Sequence, residues 1–460
     1  MVQQNRHSIP RLFAAFGRTR ENKKPGHSYK QIADGILSAI AGRGIAVIAN
    51  FFAISLTFKY LGAERYGVWV TLSSVLAYLT VFDLGIGSTV INKVSEALAN
   101  GNQESARQQI ETVYLTLAGI ALSIAACIFL VWPLIFWPAV LGYRNGPNQG
   151  EVTTAAATAI VIVLVSFPLS VTPRIMGACQ KITLSNLWNS IGSILSLVGV
   201  ILATRLKTGL PGLVVALSGA SLLVGIFSTL WLYRHFEWLW FSFRGLRWGK
   251  VRDLLRTGLP FFAVQISGII LFQTDNLIIA QILGARAVAP YSITWKLFSY
   301  ASLLQVIALP TLWPAYADAF ARRDVAWVTA TYRYNLLIAV GSTTVFVLGL
   351  FAVARRFITV WAGPSAVPSY ALLLGMGFWT IMSSLSWCES CLLGAAGKVK
   401  GQAIYSAIGA GVNVVASIVF GRLYGLSGII LGTVVAYLLC IIVPQTLEVQ
   451  GILSMKDISE

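Results

Sequence analysis

The sequence predicts an all-α, polytopic membrane protein of twelve transmembrane helices arranged as two six-helix lobes. Three observations carry that reading. First, 56% of the 460 residues are hydrophobic and 11% are charged, whereas soluble domains average about 45–50% apolar and about 25% charged. Second, the apolar residues gather into stretches about 20 residues long, the length that crosses a hydrocarbon core of about 30 Å at 1.5 Å per residue. Third, short motifs of the first half recur in the second half at a nearly fixed offset.

The predicted spans are 32–58, 67–92, 110–138, 153–175, 182–204 and 209–233, then 257–281, 290–316, 332–353, 369–393, 401–422 and 425–449. Gly and Pro fall inside many of them, including Pro133, Pro168, Pro173, Pro310 and Pro314, as membrane helices tolerate. No span alternates apolar and polar residues as the strand of an outer-membrane barrel does. The expected organisation is a basic tail (1–31), an N-terminal lobe (32–233), a basic interfacial linker (234–256), a C-terminal lobe (257–450) and a short tail (451–460).

Lys and Arg set the expected orientation. With the N-terminus in the cytoplasm, 23 of them fall in cytoplasmic loops and tails, 9 in external loops, and Arg43 and Lys296 inside helices. Both termini are therefore expected on the cytoplasmic side, and the net charge of +17 reads as topology signal. No nucleic-acid-binding motif accompanies it. The basic tail through Lys30 lacks the apolar core and cleavage site of a signal peptide. The five cysteines (Cys127, Cys179, Cys388, Cys391, Cys440) lie in apolar stretches, as reduced thiols rather than a disulfide framework.

The repeat is legible in four places. LGAERYGVW (61–69) is echoed by LGARAVAPY (283–291), and SEALANGN (95–102) by ADAFARRD (317–324), both at an offset of 222. GACQK (177–181) matches GAAGK (394–398) at 217, and GLPGL (209–213) matches GLSGI (425–429) at 216. An even number of spans per repeat inserts both halves the same way up, related by an axis along the membrane normal, with a substrate path expected between them.

The run 59–110, through LGAERYGVW, FDLGIGS and SEALANGN, resembles the front end of bacterial polysaccharide flippases. These are the O-antigen and exopolysaccharide translocases of the multidrug/oligosaccharidyl-lipid/polysaccharide (MOP) exporter superfamily. Weaker similarity extends over residues 30–450. The resemblance implies a MATE-like two-lobe fold and flipping of an undecaprenyl-pyrophosphate-linked oligosaccharide across the inner membrane, for lipopolysaccharide or exopolysaccharide biosynthesis. The implied partners are that anionic lipid-linked substrate, membrane lipids, a coupling proton or Na+, and polysaccharide polymerase machinery. No cofactor and no nucleic acid are expected. A MATE-like multidrug or cation antiporter of the same superfamily is the alternative. An enzyme is disfavoured, because the longest internal loop (234–256) holds only Glu237 and Asp253 as acids and supplies no paired carboxylates or nucleophile.

An ionisable group in hydrocarbon costs about 2.5–3.5 kcal/mol on insertion scales, so each one needs a partner or a wet cavity. Five stand out. Arg43 lies roughly 16 Å and Asp83 roughly 14 Å from the inner end of its span, while Asp275 and Lys296 lie about 9 Å from the outer end. Glu389 is shallow enough to reach water. Arg43 and Lys296 are the candidate substrate-binding cations, a forked guanidinium and a point charge for phosphate oxygens. Asp275, Asp83 and Glu389 are the candidates for coupling or gating. The competing reading is two internal salt bridges, Arg43 with Asp83 and Asp275 with Lys296. Asp275 sits among Gln273 and Asn276. Asp83 lies in FDLGIGS, where Gly85 and Gly87 permit bending or close packing, and is read as more structural.

Other motifs are discounted. CESC (388–391) offers two thiols on one apolar face and no second ligand pair. His7, His27 and His235 share no metal-ligand spacing. Trp231, Trp238, Trp240 and Trp248 among basic residues read as an interfacial segment on an anionic leaflet. Tyr78, Tyr291, Tyr300, Tyr332, Tyr334 and Tyr405 have the chemistry to stack on sugars, but interfacial belts explain most Tyr equally well.

Overall fold

The computed structural model describes residues 29–239 and 248–454. The basic tail through residue 28, the central 240–247 of the linker and residues 455–460 lie outside the described residues. Among the described residues every regular element is helical.

The N-terminal lobe begins with α1 (Tyr29–Thr80), two passes joined at Gly62. A turn over 81–85 separates it from α2 (Ile86–Ala99). Then come α3 (Gln103–Val131), α4 (Gln149–Leu169), α5 (Thr172–Ala178), α6 (Ile182–Arg205) and α7 (Gly209–His235). The C-terminal lobe holds α8 (Trp248–Ile282), α9 (Ala285–Ser299), α10 (Leu303–Ala321), α11 (Val325–Trp361), α12 (Tyr370–Ala395) and α13 (Val399–Tyr424). It closes with α14 (Leu426–Tyr437), a π-turn over Leu438–Ile442 and α15 (Val443–Ser454). Nine helices of the described residues are long and apolar enough to cross a membrane. The first of them turns at Gly62 and crosses twice, and α8 and the α9–α10 pair complete twelve passes. The helices reach into the predicted linker from both sides, to His235 and from Trp248.

The repeat is written into the backbone. Gly62 (φ 73°, ψ 172°) and Gly284 (φ 84°, ψ 162°) interrupt their helices in the same conformation. The same offsets relate Gly101 to Arg323, Gln180 to Gly397 and Gly209 to Gly425, and all six have positive φ. Asn102 and Asp324, also a repeat pair, each cap a helix by accepting from the backbone N–H three residues on, at 2.9 Å. These turn positions fix where each pass begins and ends, so both halves fold to one plan.

The apolar core divides unevenly. One large cluster takes side chains from both lobes, from Phe58, Tyr66 and Leu72 to Phe298, Ile358 and Leu372. Two smaller clusters belong to single ends: Ile86, Ile110, Ile175 and Leu232 with Leu254, and Tyr316, Val328, Leu392 and Val449. The main seam between the lobes thus lies at the end bearing Gly62 and Gly284; toward the other end contact narrows to α8 on α2, with Leu254 beside Ile86 and Gly258 against the Leu84 carbonyl. At the main seam the Ala285 N–H donates to the Gly142 carbonyl at 3.1 Å. Gln281 bonds the carbonyls of Ala139 and Val140, and Trp361 stacks on Phe51 at 4.6 Å. Gly67 sits against the Ala285 backbone where no Cβ fits. The periphery is apolar and bare, with Leu122, Phe129, Leu134 and Val360 each more than 70% exposed. In water such a belt would drive aggregation; hydrocarbon covers it without cost.

Candidate functional site

The gap between the lobes widens into connected cavities. One, about 650 Å³, is hollowed into the N-terminal lobe between α1, α4, α6 and α7, with Lys296 closing it from the C-terminal lobe. A second, about 510 Å³, continues it through Trp69, Ser73, Ser166, Ser170 and Ser221 to Asp83 and Arg174. A third, about 220 Å³, enters the C-terminal lobe beside Asp275, Tyr291 and Thr433. A fourth, about 260 Å³, is walled by Arg43, Asn50, Lys296 and Tyr300. Arg43 also borders a fifth, about 690 Å³, with Gln305, Trp387 and Gln402.

Lys296 therefore faces three cavities at once, and among the described residues its ammonium has no hydrogen-bond or ion-pair partner. Arg43 is exposed and donates to the Val306 carbonyl at 3.1 Å, which occupies one of its five N–H donors. Residue 265, offset from Arg43 by 222, repeats the contact in mirror fashion: Gln265 of α8 donates to the Thr80 carbonyl of α1 at 3.2 Å. At this level of the gap each lobe thus reaches a polar side chain across to a backbone carbonyl of the other. Only the N-terminal one carries a charge.

Neither expected salt bridge forms. Asp83 pairs with Arg174 at 3.0 Å and accepts from the Gly85 N–H at 2.9 Å. The left-handed conformations of Leu84 and Gly85 break the helix here and turn the carboxylate toward α5, away from Arg43. Arg174 lies on Gly87, where a Cβ would occupy its guanidinium. Sequence reasoning counted Arg174 as a loop charge; Gly87 in FDLGIGS was the signal for its seat.

Asp275 is buried and saturated by neutral hydroxyls. Tyr291 and Thr433 donate to one oxygen at 2.6 and 2.8 Å, and Ser417 to the other at 3.3 Å. Those donors come from α9, α14 and α13, so the carboxyl ties three helices within one lobe. Its neighbours point the other way: Asn276 donates to Ser74 at 3.0 Å, Ser74 to Gln273 at 3.1 Å, and Tyr78 meets Thr274 at 2.5 Å. The polar run 273–276 is therefore split between an interlobe contact and a C-lobe interior site. Asp275 and Lys296 line the same 220 Å³ cavity without pairing.

Glu389 is wholly buried, not shallow, because α15 folds back over it. Thr446 donates to one of its oxygens at 2.7 Å and the other has no partner. Cys388 and Cys391 are buried and free, and among the described residues no three His, Cys, Asp or Glu side chains converge. His235 stacks on Trp231 at 4.4 Å; Trp240 lies outside the described residues.

Of the six tyrosines, Tyr300 lines the Arg43–Lys296 cavity, and Tyr291 lines the Asp275 cavity but is held by that carboxyl. Tryptophans face the gap as well, Trp69, Trp188, Trp295 and Trp379. Also missed was a stripe of small polar residues at helical spacing: Ser185, Asn189, Gly192 and Ser196 on α6, and Ser221, Gly225 and Ser228 on α7. That period of three and four, inside spans otherwise apolar, marks the wall of the large cavity.

Comparison with known proteins places this architecture. A family model described as "Polysaccharide biosynthesis protein" matches residues 32–320. The chain is 22% identical over 302 residues to a putative O-antigen export protein of Yersinia pseudotuberculosis, spanning 62% of this chain and 65% of that one. The fold matches an inward-facing multidrug resistance MATE family transporter of the MOP superfamily, with TM-score 0.78, 16% identity and coverage of 92% and 100% of the two chains. It also matches the lipid II flippase MurJ in an inward closed conformation, with TM-score 0.68, 18% identity and coverage of 90% and 87%.

Proposed function

The chain belongs to the polysaccharide biosynthesis protein family, and on that footing we propose that it flips an undecaprenyl-pyrophosphate-linked oligosaccharide across the bacterial inner membrane, for assembly of O-antigen or exopolysaccharide. The observation that carries this reading is the pair Arg43 and Lys296. Both are cationic, both wall the gap between the lobes, and among the described residues neither is neutralised by an acid. A positive charge kept unpaired at membrane depth costs free energy, and an anionic head group offsets that cost.

Arg43 presents a planar fork to phosphate oxygens and Lys296 a point charge at the junction of three cavities. The isoprenoid tail stays in lipid while the head group crosses. The end of the gap opposite the Gly62–Gly284 seam carries Lys93, Lys181, Arg322 and Lys398, so the positive-inside rule assigns it to the cytoplasm with both termini. The sealed Gly67–Ala285 seam is then periplasmic, and the structure is loaded from the cytoplasmic side. Asp275 is the candidate coupling group, since it lies beside the substrate cavity without a fixed counter-charge. Asp83, paired with Arg174 next to a broken helix, is the candidate gate, and Glu389 a second buried acid for coupling.

Complementation tests the reading. In a strain lacking its own flippase the wild-type gene restores surface glycan, and Arg43→Ala or Lys296→Ala does not. Full rescue by both variants would remove the cations from the mechanism. Wild-type failure across many glycan backgrounds, together with efflux of cationic dyes, would favour an antiporter.

A further inference from the structure

The large cavity of the N-terminal lobe has a chemistry that the cation pair does not explain. Eight serines and two asparagines reach its wall, and Lys296 at its rim is the one charged side chain there. A lobe that only had to pack would fill this space with hydrocarbon. At two counterpart positions the C-terminal lobe places bulk: the repeat offsets set Ser170 against Trp387 and Ser221 against Tyr437, and Tyr437 is buried, while the 690 Å³ cavity that Trp387 lines has Ser390 as the hydroxyl on its wall. The hydroxyl-rich lining is therefore a property of one lobe.

Its polar atoms are short of partners. The Thr57 hydroxyl and the Trp188 indole N–H are sealed inside with nothing to bond, and both belong to the cavity wall. Ser185, Ser196 and Ser221 add hydroxyls without a partner among the described residues. Buried polar groups in native structures are almost always satisfied, so Thr57, Trp188 and the buried Ser185 point to a ligand that supplies donors and acceptors, with the half-buried Ser196 and the exposed Ser221 open to it. Trp69 and Trp188 present flat apolar faces beside those hydroxyls, the pairing of ring face and hydroxyl that a pyranose needs. The volume falls in the range of about 300–1,000 Å³ found for small-molecule sites, enough for a short saccharide and too small for a polymer. A carboxylate placed here would lose water and gain no cation beyond the Lys296 already facing the pyrophosphate.

We propose that this chamber is the glycan subsite of the transporter and that it selects an uncharged, hydroxyl-rich sugar next to the pyrophosphate. The inference rests on the flippase reading above and adds the class of sugar and the residues that read it. Trp188 and Thr57 donate to sugar oxygens, Ser185, Ser196 and Ser221 exchange hydrogen bonds with ring hydroxyls, and Trp69 stacks.

The test is binding to the purified full-length protein in nanodiscs with three probes: undecaprenyl pyrophosphate alone, the same carrier bearing galactose, and the carrier bearing galacturonate. The galactose probe should bind the wild type about tenfold more tightly than the carrier alone, the effect of two or three added hydrogen bonds. The galacturonate probe should gain less than the galactose probe. Ser221→Tyr, which copies the C-terminal lobe, should abolish the galactose increment, and Trp188→Phe should reduce it. Carrier-alone binding in the same samples reports the fold and the phosphate site. Equal binding of carrier and galactose probe, or an equal gain from galacturonate, would overturn the glycan subsite while leaving the flippase reading standing. Failure of every probe to bind would take both down.

Discussion

The two lobes share a backbone and differ in what they hold inside. At positions related by the repeat, the C-terminal lobe has Asp275, Ser417 and Thr433, and the N-terminal lobe has Ala53, Val200 and Leu217. Tyr291, which donates to Asp275, corresponds to Trp69, which borders three cavities. Conversely the N-terminal pair Asp83–Arg174 becomes Gln305 and Cys391, with Gln305 bonded to Thr343 at 3.3 Å and to Ser384. A duplicated bundle thus keeps its turns, because they set where helices start and stop, and frees its interior positions to diverge. One lobe became a hollow lined by hydroxyls; the other holds a buried acid beside a 220 Å³ cavity and lines a second, 690 Å³ cavity mainly with apolar groups such as Val306, Leu309, Trp313 and Pro314.

Substitutions that cross this division should differ in effect, and a reversed charge should have the largest. Reversing the charge at the junction, Lys296→Glu, should reduce surface-glycan rescue more than tenfold, since a like charge then faces the pyrophosphate; glycan blots against expression level measure it. Next comes Arg174→Ala, which strands the buried Asp83 carboxylate. The penalty for an orphaned buried charge is about 3–5 kcal/mol, reduced to about 1–3 kcal/mol by the partial exposure of Arg174. The double change Asp83→Gln with Arg174→Cys, copying the other lobe, should recover most of that loss in thermal unfolding. If it recovers nothing, the two lobes are not interchangeable at this point.

Smaller again is Asp275→Leu, which leaves the hydroxyls of Tyr291, Thr433 and Ser417 without their acceptor. A destabilisation of about 1–3 kcal/mol is expected. Asp275→Asn, which keeps an acceptor and gives its amide hydroxyl oxygens to meet, should lose less than about 1 kcal/mol. Transport by the Asn variant separates structure from coupling: a folded protein that no longer transports supports a coupling role, and full transport excludes it. The least change is expected from Glu389→Gln. One Glu389 oxygen already lacks a donor, so the neutral amide should hold stability within about 0.5 kcal/mol.

Much of this was legible in the chain. The span count follows from apolar length, and the repeat from motifs whose residues include positive-φ positions such as Gly62, Gly284, Gly209 and Gly425. The intramembrane charges declared themselves by cost alone. Their partners did not, because depth along a span says nothing of rotation about its axis. Asp83 was set opposite Arg43 by depth, yet the break at Leu84 and Gly85 turns it to Arg174. Asp275 and Lys296 share a depth and a cavity but not a bond. Glu389 reads as near water in the sequence because α15, which covers it, follows more than fifty residues later. The serine wall was visible as a period and overlooked, since Ser within apolar spans is common and carries no charge to draw notice.

The most direct trial of the cation pair is flipping itself. Proteoliposomes are loaded with galactose-bearing undecaprenyl pyrophosphate, and galactose oxidase added outside reports each sugar that reaches the outer leaflet. The wild type should expose the inner-leaflet pool and the Arg43→Ala/Lys296→Ala double variant should not, at equal reconstitution. A double variant that flips at the wild-type rate would contradict the role assigned to these two charges.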